Sequence, residues 1–469
     1  MLFNSLTFLI FFILVFSLHW LMPGWRRKKL LLLVASYLFY AAWNPPYVFI
    51  LLFSTTLDWW LARLIWKSAG APLRKALLIV SLVSNLSLLG FFKYGGFLLD
   101  NTLYLLTLLG VHYVPPAFAL VLPIGISFYT FASLSYTMDV YRGEIAADAP
   151  FLDYALFVSF FPHLVAGPIV RAKQLLPQIR TPREITRDRL GWGLALVIIG
   201  LFAKSVLADT LFAPMVDEVY ANPAVHNAAD GWAAVFGFSG QIYFDFAGYS
   251  LCAIGLALCF GFEFPDNFRY PYAARGFSDF WRRWHITLSS WLRDYLYIPL
   301  GGSRHGKARS YLNLMLTMLI GGLWHGASWM FVLWGGLHGA YLALERLWQD
   351  HVRPAQTGSG KLAGALAVFL VVSLTWIPFR AHDTHTAWAL LHSLYRTNPY
   401  LLADFSYMLP VYLGMAVTFS WHYLQRDGSL EQRFASLGTP VQTAVMAACL
   451  ITIFLCSGGD QRAFIYFQF

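Results

Sequence analysis

The residue of this sequence whose position points most clearly to chemistry is His325. It follows Arg309 by 16 residues of mostly apolar sequence. If that stretch is helical it rises about 24 Å, which places the imidazole deep in a hydrocarbon core about 30 Å thick. A titratable side chain is costly there, and by default it marks a functional site. The alternative is a packing histidine that hydrogen-bonds to a neighbouring helix.

The reaction that suits an imidazole inside the bilayer is acyl transfer. Near neutral pH, histidine can take a proton from an attacking hydroxyl and return one to a leaving thiol. Three glycines flank the residue, Gly321, Gly322 and Gly326, and they allow a helix break or close helix packing. We therefore predict that His325 acts as a general base.

A second set of candidates lies at 278–297, where a helical stripe of apolar residues surrounds His285. Five side chains of this segment are charged: Asp279, Arg282, Arg283, Arg293 and Asp294. So many charges do not suit a lipid-exposed span. We therefore predict one interfacial or re-entrant helix on the cytoplasmic side of the membrane.

Arg282, Arg283 and Arg293 suit the phosphates of a CoA donor, because a guanidinium makes bidentate, charge-assisted hydrogen bonds to phosphate. The alternative is that they orient the chain and contact lipid headgroups. Asp245 lies inside another predicted span, where a carboxylate must face the protein interior, and we expect it to make structural hydrogen bonds. The same interpretation applies to three further polar residues: Asn313, His163 and His338.

The elements that must hold these residues follow from composition. The chain has 469 residues, of which 58% are hydrophobic and 12% charged, about half of the roughly 25% charged residues usual in soluble proteins. Apolar runs of about 17–25 residues recur, each long enough to cross a bilayer. Backbone groups in hydrocarbon must pair internally, which leaves helices or a closed barrel, and the runs lack the alternation of barrel strands. We predict an all-α, polytopic membrane protein.

We expect a single membrane domain over residues 1–469 with about 11–14 hydrophobic spans. The candidate segments are 3–22, 30–43, 47–66, 76–92, 96–110, 117–140, 151–166, 190–212, 232–262, 310–325, 327–348, 361–379, 386–402, 406–424 and 441–457. Basic clusters at 26–29, 67–75 and 171–189 indicate cytoplasmic loops, and counting crossings from them puts both termini in the periplasm. The acidic stretch after residue 212 is predicted to be an external loop. The net charge of +9 belongs to the cytoplasmic loops and does not indicate nucleic acid.

Three other patterns in the sequence do not indicate a metal site, a disulfide or a second catalytic site. No histidine spacing such as HExxH occurs, so no catalytic metal is predicted. Cys252 and Cys259 are seven residues apart, as are Cys449 and Cys456, and the helical rise of about 10 Å exceeds the roughly 7 Å limit for a disulfide. Residues 226–231 read HNAADG and match the HxxxDG pattern of soluble CoA-dependent acyltransferases, but roughly one HxxxD per two such chains is expected by chance.

Long motifs occur in order along nearly the whole chain. Three of them are FPDNFRYPY (264–272), DFWRRWHITLSSWLRDYLYIPLGG (279–302) and GGLWHGASWMFVLWGGLHG (321–339). Four others are PIGISFYTFASLSYTMDVYRG (123–143), FFPHLVAGPIVRA (160–172), QIYFDFAGYS (241–250) and the ending FIYFQF (464–469). Together they resemble the membrane-bound O-acyltransferase family, specifically its bacterial branch for O-acetylation of polysaccharides such as alginate and cellulose.

The resemblance implies a fold and a reaction. The family fold is a ring of tilted helices around a central tunnel, which Trp324, Asn313 and Asp245 would line in this chain. His325 matches the histidine taken as the catalytic base, and His285 matches a second, more variable catalytic position. The branch takes acetyl from a cytoplasmic thioester, acetyl-CoA, and passes it across the bacterial inner membrane to an extracytoplasmic polysaccharide. Periplasmic serine esterase-like acetyltransferases and membrane lipid are implied as partners.

Two alternative functions stay open at this point. A D-alanyl-type transferase would use the same base but take its donor from a carrier protein. A non-enzymatic polysaccharide or lipid transporter would need inverted repeats or helices broken at corresponding places in two halves, and the sequence shows neither pattern.

Overall fold

The computed structural model describes residues 1–115, 121–351, 358–396, 405–456, 462, 464 and 465. Regular structure within these residues is helical and includes no β-strand, which confirms the predicted all-α class. Helices satisfy their own backbone groups, as hydrocarbon requires. The Cα positions group into two compact units, and the single membrane domain over residues 1–469 stays a prediction.

The first unit comprises Met1–Gly193 and Ala253–Pro265. Its helices are α1 (Leu6–Leu21), α2 (Trp25–Ala41), α3 (Tyr47–Lys67), α4 (Ala71–Leu89), α5 (Gly95–Leu108), α6 (Ile126–Arg142), α7 (Phe151–Ser159), α8 (Phe161–Leu164), α9 (Ala172–Arg180) and the start of α10 (Arg187–Phe202). Two π-helical segments continue long helices of the chain. Gly90–Tyr94 joins α4 to α5 in this unit, and Ala203–Phe212 directly follows α10 in the second unit.

Polar side chains inside the first unit satisfy one another. Asp58 on α3 accepts hydrogen bonds from Ser81 Oγ (2.6 Å) and Asn85 Nδ2 (2.8 Å) on α4. Lys29 on α2 forms an ion pair with Asp153 on α7. Because a carboxylate among apolar helices is costly without partners, these contacts specify how the helices of this unit pack.

The second unit comprises Leu194–Cys252 and Asp266–Phe469. Its further helices are α11 (Ala213–Ala221), most of α12 (Ala228–Cys259), α13 (Phe277–Trp281), α14 (Ile286–Leu292), α15 (Gly306–His325), α16 (Trp329–His351), α17 (Gly358–Arg380), α18 (Thr384–Ser393), α19 (Phe405–Gln425), α20 (Leu430–Ala435) and α21 (Thr439–Cys456). Every candidate residue predicted for catalysis or donor binding lies in this unit.

The helices α15 and α16 form a hairpin whose backbones touch. A Cβ atom added at Gly322 would lie 2.3 Å from the carbonyl oxygen of Phe331, and one added at Gly335 would lie 2.4 Å from that of Met318. Small residues allow such close approach between membrane helices. The hairpin therefore fixes the end of α15, where His325 is the last helical residue.

Six helical stretches among the described residues are long and apolar enough to cross a membrane, and the shorter apolar helix α1 accompanies them. They are Tyr47–Lys67, Ala71–Leu108, Arg187–Ala221, Ala228–Cys259, Ser359–Arg380 and Thr439–Cys456. The chain is thus a multi-pass membrane protein, and the total of 11–14 spans stays a prediction.

Three predicted boundaries are wrong. The spans 76–92 and 96–110 are one helical stretch, because Gly95 takes an α-helical conformation (φ −55°) instead of ending a helix. The external loop predicted after 212 is helical through Ala221, so its first acidic residues lie on α11. The span 151–166 is interrupted at Phe160, whose ψ of 115° ends α7.

Some sequence predictions fall outside the described residues. These are the start of the 117–140 span, the end of the 386–402 span and residues 466–469 of the final motif.

Candidate active site

The segment 278–297 is not the single interfacial helix that its apolar stripe predicts. Helices α13 and α14 are separated by His285, which has the left-handed dihedrals φ 42° and ψ 53°. A neighbouring loop holds this break, since Ile286 N donates to the Asn267 carbonyl (2.9 Å) and Arg269 N donates to the Arg283 carbonyl (2.9 Å). A non-glycine residue pays about 1–3 kcal/mol for such a conformation, and these contacts offset that cost.

The His285 side chain is fully buried. Its Nδ1 atom lies 3.0 Å from Oδ1 of Asn267. The Phe246 ring meets the imidazole edge-on, with centroids 4.6 Å apart, and the Trp324 indole lies 5.9 Å away. The ring is therefore held on one side by a hydrogen bond and enclosed elsewhere by aromatic side chains.

His325 lies at the end of α15 in a cage of aromatic rings. The centroids of Trp324, Trp334 and Phe379 are 4.9, 5.0 and 5.3 Å from that of the imidazole. Because His285 also contacts Trp324, one indole adjoins both histidines. His325 is 4% exposed and His285 is 0% exposed, so both imidazoles lie in the interior of the protein. The tunnel itself stays a prediction.

His338, for which a structural role is expected, belongs to the same aromatic cluster, because Trp334 contacts both His325 and His338. Its ring is fully buried, 4.7 Å from Trp334 and 5.1 Å from Trp281 between centroids. Neither of its nitrogens hydrogen-bonds to another residue that the structure describes. The structural hydrogen bond predicted for His338 is therefore not found among the described residues, and the ring packs against indoles instead.

Asn313 and Asp245 both make structural contacts. Asn313 Nδ2 donates to the carbonyl of Gly302 (2.9 Å) and so ties the turn before α15 to that helix. Asp245 forms a buried ion pair with Lys204 and accepts a hydrogen bond from the Ile465 amide (2.7 Å). These contacts match the structural role expected for both residues, and their predicted place in a tunnel wall, like that of Trp324, stays a prediction.

The three arginines predicted to bind CoA phosphates differ in their surroundings. Arg283 is largely buried; its Nε donates to Asp279 (2.8 Å) and its Nη1 to the carbonyl of Arg426 (2.7 Å). Arg282 is exposed. The Arg293 side chain is 63% exposed and its Nε lies 2.7 Å from Asp294. Arg282 and Arg293 therefore remain accessible to a ligand, whereas Arg283 joins protein segments.

Comparison with known proteins identifies the family. The family model described as MBOAT, the membrane-bound O-acyltransferase family, matches residues 7–378. The chain belongs to the membrane-bound O-acyltransferase family. The match includes both histidines and Trp324, and it makes this chain a membrane acyltransferase, which does not fit the transporter alternative.

Three relatives place this acyltransferase more closely. It is 41% identical to a probable alginate O-acetylase of Pseudomonas aeruginosa over 86% of this chain and 76% of the relative. It is 38% identical to a probable alginate O-acetylase of Pseudomonas putida over the full length of both. It is 37% identical to a peptidoglycan O-acetyltransferase of Helicobacter pylori over 87% of this chain and 82% of the relative.

Several residues around the candidate site were not predicted individually. Asn267 lies in the motif FPDNFRYPY, which the sequence analysis singled out only as a whole. Phe379 is 54 residues beyond His325 and Arg426 is farther still, so no local spacing indicates either contact. No group of three or more His, Cys, Asp or Glu suited to a metal occurs among the described residues, and the absence of a catalytic metal stays a prediction.

Proposed function

We propose that this acyltransferase takes an acetyl group from acetyl-CoA on the cytoplasmic side and passes it across the membrane for O-acetylation of an extracytoplasmic polysaccharide. The observation that carries the proposal is His325, which ends a long apolar helix and lies buried in a cage of aromatic rings. The names of the three relatives specify O-acetyl transfer, which favours acetyl over D-alanyl as the transferred group.

In the proposed reaction, His325 takes the proton of a hydroxyl as its oxygen attacks the thioester carbonyl. The new C–O bond forms, the C–S bond breaks, and the imidazolium returns the proton to the leaving CoA thiolate. His285 holds a reacting group in line beside the shared Trp324 indole. No covalent intermediate on the enzyme is needed for this proton balance.

The proposed donor site uses exposed basic residues close to His285 in the sequence. Arg282 and Arg293 bind the CoA phosphates, because their side chains lie at the surface, and Arg293 gives up its ion pair with Asp294 to do so. Arg283 supports the site by bracing α13 against the end of α19. This division assigns the predicted phosphate contacts to the two arginines that remain accessible.

The proposed setting is the bacterial inner membrane with both termini in the periplasm, as the basic clusters predict. The hydroxyl acceptor then arrives from the periplasmic side. It belongs to the polysaccharide or to a periplasmic serine esterase-like acetyltransferase that relays the acetyl group. Membrane lipid surrounds the exposed apolar helices.

The decisive experiment replaces His325 with Ala. We expect polymer O-acetylation to fall at least about a hundredfold, because the general base is lost, while the protein still accumulates in membranes. The measurement is the O-acetyl content of the polymer in a strain that carries only the variant. Near-normal acetylation by His325→Ala would refute the assignment.

A matched control is His338→Phe. This residue is also a buried histidine of the aromatic cluster, and phenylalanine preserves its ring packing. We expect His338→Phe to retain acetylation. Transfer of label from acetyl-CoA, compared with transfer from a carrier protein loaded with D-alanine, tests the donor separately.

A further inference from the structure

The side-chain amide of Asn267 has a defined orientation. The Thr287 backbone N–H, which can only donate, points to Oδ1 of Asn267 at 3.4 Å. The Thr287 hydroxyl also donates to this oxygen (2.8 Å), and Asn267 Nδ2 donates to Ser250 Oγ (3.1 Å). Because a backbone N–H needs an acceptor, the oxygen and not the NH₂ group must face Thr287.

This orientation determines the tautomer of His285. Its Nδ1 lies 3.0 Å from the same amide oxygen, and an oxygen can only accept, so Nδ1 must carry the hydrogen. A neutral imidazole has one N–H. The Nε2 atom of His285 is therefore unprotonated and presents a lone pair.

The Nε2 lone pair is buried and available. The His285 ring is 0% exposed, and Nε2 has no hydrogen-bond partner among the residues that the structure describes. A buried polar atom normally has a partner. The hydrogen bond from Nδ1 to Asn267 and the flanking rings of Phe246 and Trp324 hold the imidazole in this orientation.

We propose that Asn267 is a positioning residue that makes His285 a hydrogen-bond acceptor for the substrates. This inference rests on the proposed function, and it assigns different tasks to His325 and His285. His325 takes the reacting proton, while Nε2 of His285 accepts a hydrogen bond from an N–H or O–H group and moves no proton. A neutral His285 of this tautomer cannot donate from Nε2 to the carbonyl oxygen of the thioester.

Two substrates carry groups of this chemistry. The pantetheine arm of acetyl-CoA has amide N–H groups, and the acceptor has hydroxyls beside the one that reacts. If the pantetheine arm binds His285, a variant in which Asn267 no longer orients the His285 ring should have a higher KM for acetyl-CoA. If the acceptor binds there, the KM for acetyl-CoA is unchanged and the rate at saturating acetyl-CoA falls.

The test is a double-mutant cycle on the full-length protein in inside-out membrane vesicles, with labelled acetyl-CoA as the donor and label in polymer as the readout. Asn267→Leu removes the acceptor oxygen and is expected to cost roughly tenfold in rate, the worth of about one buried hydrogen bond. In a His285→Phe background the same change should cost less than twofold, because Asn267 acts through His285. Independent, multiplying effects would overturn the proposal.

A matched control and a second measurement protect the test against misfolding. Ser250→Ala removes the partner of the amide NH₂ group but leaves Oδ1 in place, so at least half of the transfer rate should persist. In the unaltered protein, nitrogen NMR of labelled histidines, assigned with His285→Phe, should show a protonated Nδ1 and an unprotonated Nε2. The reverse tautomer would contradict the proposal.

The outcomes separate this inference from the proposed function. Full transfer by His325→Ala rejects the proposed function. Loss of transfer by His325→Ala together with normal transfer by Asn267→Leu rejects only the role of Asn267.

Discussion

At the scale of single residues, the three arginines near the site illustrate how one residue type serves different purposes. Arg283 holds Asp279 and the backbone of Arg426, whereas Arg282 and Arg293 are exposed. A largely buried guanidinium that joins two segments of the protein contributes to stability, whereas an exposed one can bind a phosphate. Substitutions at the adjacent positions 282 and 283 should therefore affect different quantities.

Arg282→Ala should raise the KM for acetyl-CoA a few-fold, since an exposed charge pair contributes about 0.2–1 kcal/mol, and leave the melting temperature unchanged. Arg283→Ala should lower the melting temperature because Asp279 loses a buried partner. Initial-rate kinetics and thermal unfolding in detergent measure the two effects. Equal effects of both substitutions on KM would contradict this division.

The same network makes stability depend on pH. Burial by itself raises the pKa of Asp279, but hydrogen bonds from the Arg275 amide, Arg283 and Arg426 outweigh it, and the pKa ends below its ordinary value. A carboxylate whose pKa is lower in the folded protein stabilises the fold at pH values above its pKa in the unfolded chain, which is about 3.9. This contribution to stability is lost as the pH falls towards the pKa in the folded protein. The melting temperature of the protein should therefore drop below about pH 4, and less steeply in Asp279→Asn. A parallel pH dependence in both proteins would argue against the network.

At the scale of elements, the position of His325 depends on the contact between α15 and α16. Gly322→Ala places a Cβ atom 2.3 Å from the Phe331 carbonyl oxygen, so the helices must separate. Overpacking of this kind typically costs about 1–3 kcal/mol. We expect lower thermal stability and reduced acetyl transfer, measured on the purified variant.

The matched control for the hairpin is Gly336→Ala. Its added Cβ would lie 3.6 Å from the nearest atom, a side-chain carbon of Leu319, which is ordinary contact distance. This change should leave stability and transfer unchanged. If Gly336→Ala is as damaging as Gly322→Ala, the close approach of the helices at Gly322 does not account for the effect.

At the scale of the whole molecule, the long apolar helices and the basic clusters predict one orientation in the membrane. Alkaline phosphatase fused after Cys456 should be active in cells, because the C-terminal side is predicted to be periplasmic. The same enzyme inserted at Ser68, beside Lys67, should be inactive. The reverse pattern would invert the predicted topology and place the donor site on the wrong side.

The sequence by itself determined the class of protein and most of its long helices, and it predicted a catalytic role for His325. Apolar runs imply membrane helices because hydrocarbon leaves the backbone few other options, and a histidine within such a run is costly enough to signal function. These inferences need only local composition and spacing. The family resemblance rests on contiguous motifs in the same way, and the family match confirms it.

Only the tertiary structure decided how the site is built. The stripe of apolar residues at 278–297 has helical spacing, yet backbone bonds from Asn267 and Arg269 break it and hold His285 in a left-handed conformation. Phe379 and Arg426 reach the site or its support from far along the chain. Such contacts depend on which helices pack together after folding. The residue spacing within one segment does not predict which distant segment it will contact.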